Sequence, residues 1–225
     1  NQIWVSDITY VPIEDETARL GYRFCFLTLV MDAYSKRVLG SCVAPTLEAE
    51  YSIEALKKAV STLPEGFADT LIHHSDRGTQ YASAEYIKQL RLHDITPSMT
   101  ESGNPKDNAM AERINNTIKN ELLHGQTFTS LEQVVEAVEK AIRFYNSERP
   151  HSSIDWHTPN QAHQMRGDMN GIGALGVKMP SEENKKQRYD EKHIYLQRQT
   201  KATATASEQT SEFVFSSLGH RTPMN

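Results

Sequence analysis

The sequence predicts a mixed α/β domain followed by a polar C-terminal extension, and three observations lead there. Three runs rich in β-branched and aromatic residues fill the first 44 positions. An alternation of helix, strand, helix and strand follows. After about residue 165 the composition turns to glycine, then to charged and amide residues, then to Ala, Thr and Ser.

The elements read off in order. QIWVSDITYVP, residues 2–12, is a strand that should stop at its proline. YRFCFLTLVMDA (22–33) and RVLGSCVA (37–44) are the second and third, joined by the short link Tyr34-Ser35-Lys36. From Thr46 the period changes: Leu47, Ala49, Ile53, Leu56, Ala59, Val60 and Leu63 recur at helical spacing until Pro64 and Gly66. A fourth strand covers 68–74. Ser83 caps a helix over 84–92, and a fifth strand takes 94–98. The segment TESGNPKD (100–107) has turn chemistry, with Asp107 placed to cap a helix over 108–123. A further helix spans 130–147 on an apolar stripe from Leu131 to Tyr145, and Thr158-Pro159 opens a last short one.

Composition narrows the function classes. The chain has 225 residues, enough for one domain of ordinary size plus appendages. No apolar run approaches the roughly 18 residues a membrane span needs. Cys25 and Cys42 lack metal-ligand spacing and a disulfide framework, which fits a reducing cytoplasm. The net charge of −5 speaks against non-specific nucleic-acid binding by the chain as a whole, unless some carboxylates serve to hold cations. A strand pattern begins almost at Asn1, so the chain reads as a piece of a longer protein.

Three carboxylates stand out. Asp7 is in mid-strand, Asp76 follows the fourth strand in HSDRGTQY, and Glu112 lies in the first turns of the helix entered through the turn-rich segment. Desolvating a charge costs several kcal/mol, so carboxylates on core elements call for a partner. A divalent cation supplies one. Mg²⁺ takes hard oxygen ligands and keeps its remaining positions for water and substrate phosphate. Two such ions, about 3.5–4 Å apart, could activate a nucleophilic oxygen and stabilise the leaving oxygen at a phosphodiester. His73 and His74 do not compete as a zinc pair, because neighbouring strand residues point to opposite faces.

The words around these carboxylates, WVSDITY, HSDRGTQY and SGNPKDNAMAE, with 35 residues between Asp76 and Glu112, resemble the catalytic core of DDE transposases and integrases. The likeness is strongest to bacterial insertion-sequence transposases related to retroviral integrases. It runs from Asn1 to about residue 164, through the closing YNSERPHSSIDWHTP. It implies a ribonuclease-H-like fold with a mixed five-stranded sheet flanked by helices, residues 1–164 as catalytic core and 165–225 as an extension. It also makes Asp7, Asp76 and Glu112 ligands of two Mg²⁺ ions, with Mn²⁺ as a substitute. The implied activity is DNA cleavage and strand transfer at the ends of a mobile element, by a homo-oligomer assembled on DNA. End recognition would fall to an upstream helix-turn-helix region. The alternatives are a metal-dependent nuclease of the same fold without strand transfer, and a non-catalytic domesticated DNA-binding protein in which the three carboxylates are vestigial.

Neighbouring residues receive expected roles. Gly78 lets the chain turn, and Gln80 and Tyr81 face the cleft. Asn116 and Lys119, four and seven residues beyond Glu112, share its face and are expected at DNA, as is Asn108 near the helix start. Arg149 and His151 are expected in a structural hydrogen-bond cluster, and Trp4 and Trp156 in packing.

Overall fold

A computed structural model describes residues 1–100 and 108–167. Five strands, β1 (Ile3–Glu14), β2 (Tyr22–Asp32), β3 (Val38–Ala44), β4 (Leu71–Ser75) and β5 (Ile95–Met99), form one sheet in the order β3-β2-β1-β4-β5. The first three run as an antiparallel meander, and β1, β4 and β5 are parallel. The sheet is therefore mixed, and β1 is its middle strand.

Each face of the sheet is covered by helices. On one, α1 (Ala49–Val60), α2 (Thr79–Ala82) and α3 (Ala84–Leu92) bury Trp4, Val30, Leu56, Leu71, Tyr86 and Leu90. On the other, α4 (Ala109–Asn116), a π-helical segment (Thr117–Leu122) and α5 (Leu131–Ser147) bury Val5, Val11, Ile13, Leu27, Ile114 and Val138. The alternation of β1 produces this division, since Trp4 and Ile8 point to the first layer and Val5 and Val11 to the second. A 3₁₀ turn (Ser152–Ile154) and α6 (Pro159–His163) close the described chain, α6 starting on the expected Thr158 capping box.

Four elements differ from expectation. β1 continues past Pro12 to Glu14. It pairs with β4 only over Ile3–Ser6, so no strand lies along its outer edge at Pro12, where a proline without an N–H is tolerated; the edge is met again only at Glu14, whose N–H donates to Phe128 O at 2.7 Å. The first helix begins at Ala49 and the fourth strand at Leu71, after irregular lead-ins. The long helix expected over 108–123 changes winding after Asn116, where Leu123 N–H donates to Ile118 O, five residues back. Asp107 and the extension lie outside the described residues, apart from the stretch to residue 167.

Two buried polar devices fix the periphery. Asn146 on α5 pairs with the β3 backbone, accepting from Val38 N at 3.0 Å and donating to Val38 O at 2.9 Å. Asp32, at the end of β2, accepts from Ser35 N and Ser35 Oγ at 2.8 and 2.7 Å, and His163 Nδ1 of α6 lies 2.9 Å from Ser35 Oγ and 3.6 Å from Asp32 Oδ2. Burial works against the Asp32 carboxylate, but His163, the Asn1 amino group 3.1 Å away and the Ser35 contacts together outweigh it and hold its pKa well below the usual range. Trp4 is fully buried as expected; Trp156 is 72% exposed, on a left-handed backbone at φ 62, so it is a surface residue and not a packing one.

Gly40 on β3 is where α1 comes closest to the sheet. A Cβ there would collide with Ala55 O and stand 2.7 Å from Ala59 N, both backbone atoms. Gly40→Ala is therefore expected to cost about 2–3 kcal/mol or more, the price of overpacking against atoms that cannot rotate away. Chemical denaturation of the two proteins measures it.

Candidate active site

The parallel pairing of β1 with β4 ends at Ser6 and Ser75. Asp7 and Asp76 are the next residues of each strand, so they leave the last rung side by side, with neighbouring strands about 4.8 Å apart. This is the carboxyl end of the parallel strands, where open α/β sheets place their ligands. Asp7 is half-buried because β1 continues behind it; Asp76 begins the loop into α2.

The pair is held by a surrounding network. Asp76 Oδ1 accepts from Gly78 N–H at 3.0 Å. Gly78 has φ −53, which any residue adopts, so its value lies in space: a Cβ would sit 3.0 Å from that same carboxylate oxygen. Below Asp7, Ser6 Oγ donates to Leu29 O at 2.8 Å and meets Tyr81 OH at 2.9 Å. Arg77 Nε donates to Thr100 O at 2.7 Å, tying the end of β4 to the end of β5. His73 is buried and contacts Tyr86 OH at 3.0 Å, and His74 contacts Ser98 Oγ at 3.0 Å. The two histidines have separate partners, as strand alternation requires, and burial pushes His73 down to about 3, keeping it neutral.

Helix α4 brings the third carboxylate. Glu112 is exposed in its first turn, and Asn115, one turn on, is buried with its Nδ2 donating to Asp7 Oδ2 at 2.9 Å. Asn115 stands three residues beyond Glu112, a spacing that sets the two side by side on a helix and is the sequence signal for it. Asn116 is exposed on the Glu112 side, its Oδ1 accepting from Asn120. Lys119 does not continue that row. The π-helical winding accommodates about one more residue per turn and turns it towards β1, where its Nζ lies 3.8 Å from the centre of the Tyr10 ring. Asn108 is buried, and its Nδ2 donates to Ser6 O at 3.0 Å. The amide thus anchors α4 to β1 beside Asp7, a buried position and not the open surface expected of a DNA contact. Gln80 and Tyr81 do line the cleft, with Asp7, Asp76, Tyr10 and Phe26. Arg149 donates to Glu121 at 2.7 Å and lies beside His151, away from the carboxylates.

The electrostatics of Asp7 set the chemistry of this donor set. Its pKa is raised to about 6, first by burial and further by the charges of Asp76 and Glu112, against the lowering effect of the Ile8 N–H and Asn115. Three mutually repelling carboxylates are a site short of positive charge. Beside them, Asn115 Oδ1 and Asn108 Oδ1 are buried acceptors without a donor among the described residues. Hard oxygen donors with negative charge to neutralise fit a hard divalent cation. Among the described residues, however, no three His, Cys, Asp or Glu side chains are gathered closely enough to share one ion. The strands bring Asp7 and Asp76 together, and Glu112 stands exposed on α4, one turn before the Asn115 that contacts Asp7.

Comparison with known proteins agrees with this architecture. Two family profiles, each described as Integrase core domain, match residues 1–105 and 93–159. A Mycobacterium tuberculosis sequence ascribed to the insertion element IS986/IS6110 as its transposase is 37% identical over 153 residues, 66% of this chain and 52% of its own. The Escherichia coli transposase InsF for insertion sequence IS3A is 33% identical over 162 residues, 72% of this chain and 53% of its own. The chain thus spans about half the length of these curated relatives. Among solved structures, the HTLV-2 integrase catalytic core in complex with magnesium aligns with TM-score 0.56 at 22% identity, over 73% of this chain and 97% of that one. The catalytic core of BIV integrase aligns with TM-score 0.51 at 18% identity, over 71% and 91%. These likenesses show the fold.

The raised pKa of Asp7 has a measurable sign. The group costs nothing below the unfolded pKa near 3.8, costs progressively more as pH rises towards 6, and costs a constant amount above that. In chelator, Asp7→Asn is expected to raise stability at pH 7 by up to about 3 kcal/mol, and the gain should fade as pH falls from 6 to 4. Urea denaturation at several pH values checks it.

Proposed function

Since the chain belongs to the DDE transposase/integrase catalytic-core family, we propose that it is the catalytic part of an insertion-sequence transposase. In this reading it cleaves DNA at the ends of a mobile element and joins the exposed 3′-hydroxyls to target DNA. The observation that carries the reading is the shared end of β1 and β4, which sets Asp7 and Asp76 side by side at the carboxyl edge of the sheet, with α4 presenting Glu112 from the same layer that supplies Asn115.

Asp7, Asp76 and Glu112 would hold the cations, two Mg²⁺ or Mn²⁺ ions. When bound, the ions lower the pKa of the attacking oxygen and neutralise charge at the phosphorus and the leaving oxygen. The protein's own groups prepare the place for this. Asn115 and the Ile8 N–H keep Asp7 oriented and favour its ionised form against the burial that opposes it. The Gly78 N–H does the orienting for Asp76. Gln80 at the cleft wall and Asn116 on the exposed side of α4 are placed to meet nucleotides flanking the reacting phosphate. The partners are element-end and target DNA, and the working form is an oligomer that holds two ends at once. No described helix is long and apolar enough to cross a membrane, consistent with action on the nucleoid in the bacterial cytoplasm.

The test is rejoining of a branched DNA oligonucleotide in Mg²⁺ or Mn²⁺. Wild type is expected to yield the rejoined strand, and Glu112→Gln to lower the rate by about 100-fold or more, the effect of removing a ligand rather than an outer-shell partner. Cleaved product without rejoining would identify a nuclease, and equal product from both proteins would remove Glu112 from the reaction. Asn115→Ala, which leaves all three carboxylates in place, is expected to cost about 10–100-fold. If Asn115 acts through Asp7, raising Mn²⁺ should recover part of that loss, whereas simple misfolding would not respond to metal.

A further inference from the structure

Beyond Asp7 the central strand leaves the cover of its neighbours. β4 has ended, so from Ile8 to Glu14 β1 is paired only with β2. On one face of this two-stranded extension the register sets Tyr10 opposite Phe26, Pro12 opposite Phe24 and Glu14 opposite Tyr22. Tyr10, Phe24 and Tyr22 are 51%, 40% and 39% exposed. They hold one another edge to face, with ring centres 4.8 Å apart for Tyr10 and Phe24 and 5.2 Å for Tyr22 and Phe24. Lys119, rotated by the π-helical segment, places its ammonium over Tyr10. At its inner end the row enters the catalytic cleft, because Tyr10 and Phe26 line the same cavity as Asp7 and Asp76.

We propose that Tyr10, Phe24 and Tyr22, with Lys119 at their head, form a stacking platform for the unpaired bases of a DNA strand passing through the carboxylate cleft. The proposal rests on the transposase reading and extends it from the reacting phosphate to the nucleotides beside it. Exposed aromatic rings with a cation nearby are the chemistry of single-strand binding, since every base offers a π-face while the phosphates need charge. Paired bases hide those faces, and a duplex track would call for a row of cations instead. A second copy of the chain is the other occupant such a row could attract. The exposed ring area is only on the order of 250 Å², well short of the ≈ 800 Å² per partner of a stable interface. The continuity with the cleft therefore favours the strand. The platform also gives the open β-extension a reason to carry rings where polar residues would be cheaper in water.

The experiment measures fluorescence anisotropy of a labelled oligothymidylate of about 12 nucleotides and of a duplex of equal length, in chelator, with the full chain. Phe24→Ala is expected to weaken single-strand binding by about tenfold and duplex binding by less than about twofold, and Phe24→Trp to restore it. A strand carrying 5-iododeoxyuridine should photocrosslink to Tyr10, Phe24 or Tyr22. Unchanged single-strand affinity, or equal loss for strand and duplex, would overturn the proposal. So would a change in sedimentation on Phe24→Ala with strand binding intact, which would make the row a self-interface. Thermal melting verifies that each variant folds. The binding needs no metal, so it separates from the rejoining assay: active rejoining with no stacking defeats the platform alone, and stacking with rejoining indifferent to Glu112 defeats the catalytic assignment alone.

Discussion

The parallel register of β1 against β4 is the constraint on which the site depends. A shift of two residues would keep every side chain on its face and leave the cores intact. It would also move Asp76 one pleat away from Asp7 and separate the two carboxylates. The register is pinned from both layers: Trp4 is buried beneath α1 and α3, Asn108 reaches across from the start of α4 to Ser6 O, and Ser6 Oγ is shared between Leu29 O and Tyr81. The residues around Asp7 thus serve position before chemistry.

Helix α4 couples that fixed pair to a less constrained element. Its buried side carries Ala111, Ile114 and Asn115 into the sheet, while Glu112 faces outward from the first turn. The helix is tied to β1 at both its start and its second turn, through Asn108 on Ser6 O and Asn115 on the Asp7 carboxylate. The π-helical segment then redirects everything beyond Asn116, and residues seven apart no longer share a side. That winding has local support: Thr117 Oγ1 lies 3.3 Å from Glu121 Oε1, and Arg149 holds Glu121 from the far side at 2.7 Å.

Much of this was legible in the residues. Five strands and the main helices follow from period and caps, with Ser83 and Thr158 capping where the sequence places them. Asp7, Asp76 and Glu112 could be singled out because a charge on a core element demands a reason. What escaped the reading depends on through-space relations. The continuation of β1 past Pro12 depends on where a different strand, β4, ends. Asn108 and Asn115 look like surface amides, and only the packing of α4 on β1 shows that both are buried, one against the Ser6 carbonyl and the other against the Asp7 carboxylate. That Lys119 leaves the Glu112 face is not legible either, because a change of helical winding has no clear signature in a window read at one fixed period.

The Asp32, Ser35 and His163 cluster bears on the order in which the chain can consolidate. Asp32 lies at the end of β2, early in the sequence, yet one of the groups that stabilises its buried charge arrives 131 residues later, on the last described helix. A nascent chain emerging from its N-terminus can assemble the meander and both helical layers while this carboxylate still lacks that contact. The sheet's final locking thus waits for α6 to dock. Synthesis interrupted between α5 and α6 would leave a body with its site residues all present and the buried Asp32 carboxylate without its His163 contact.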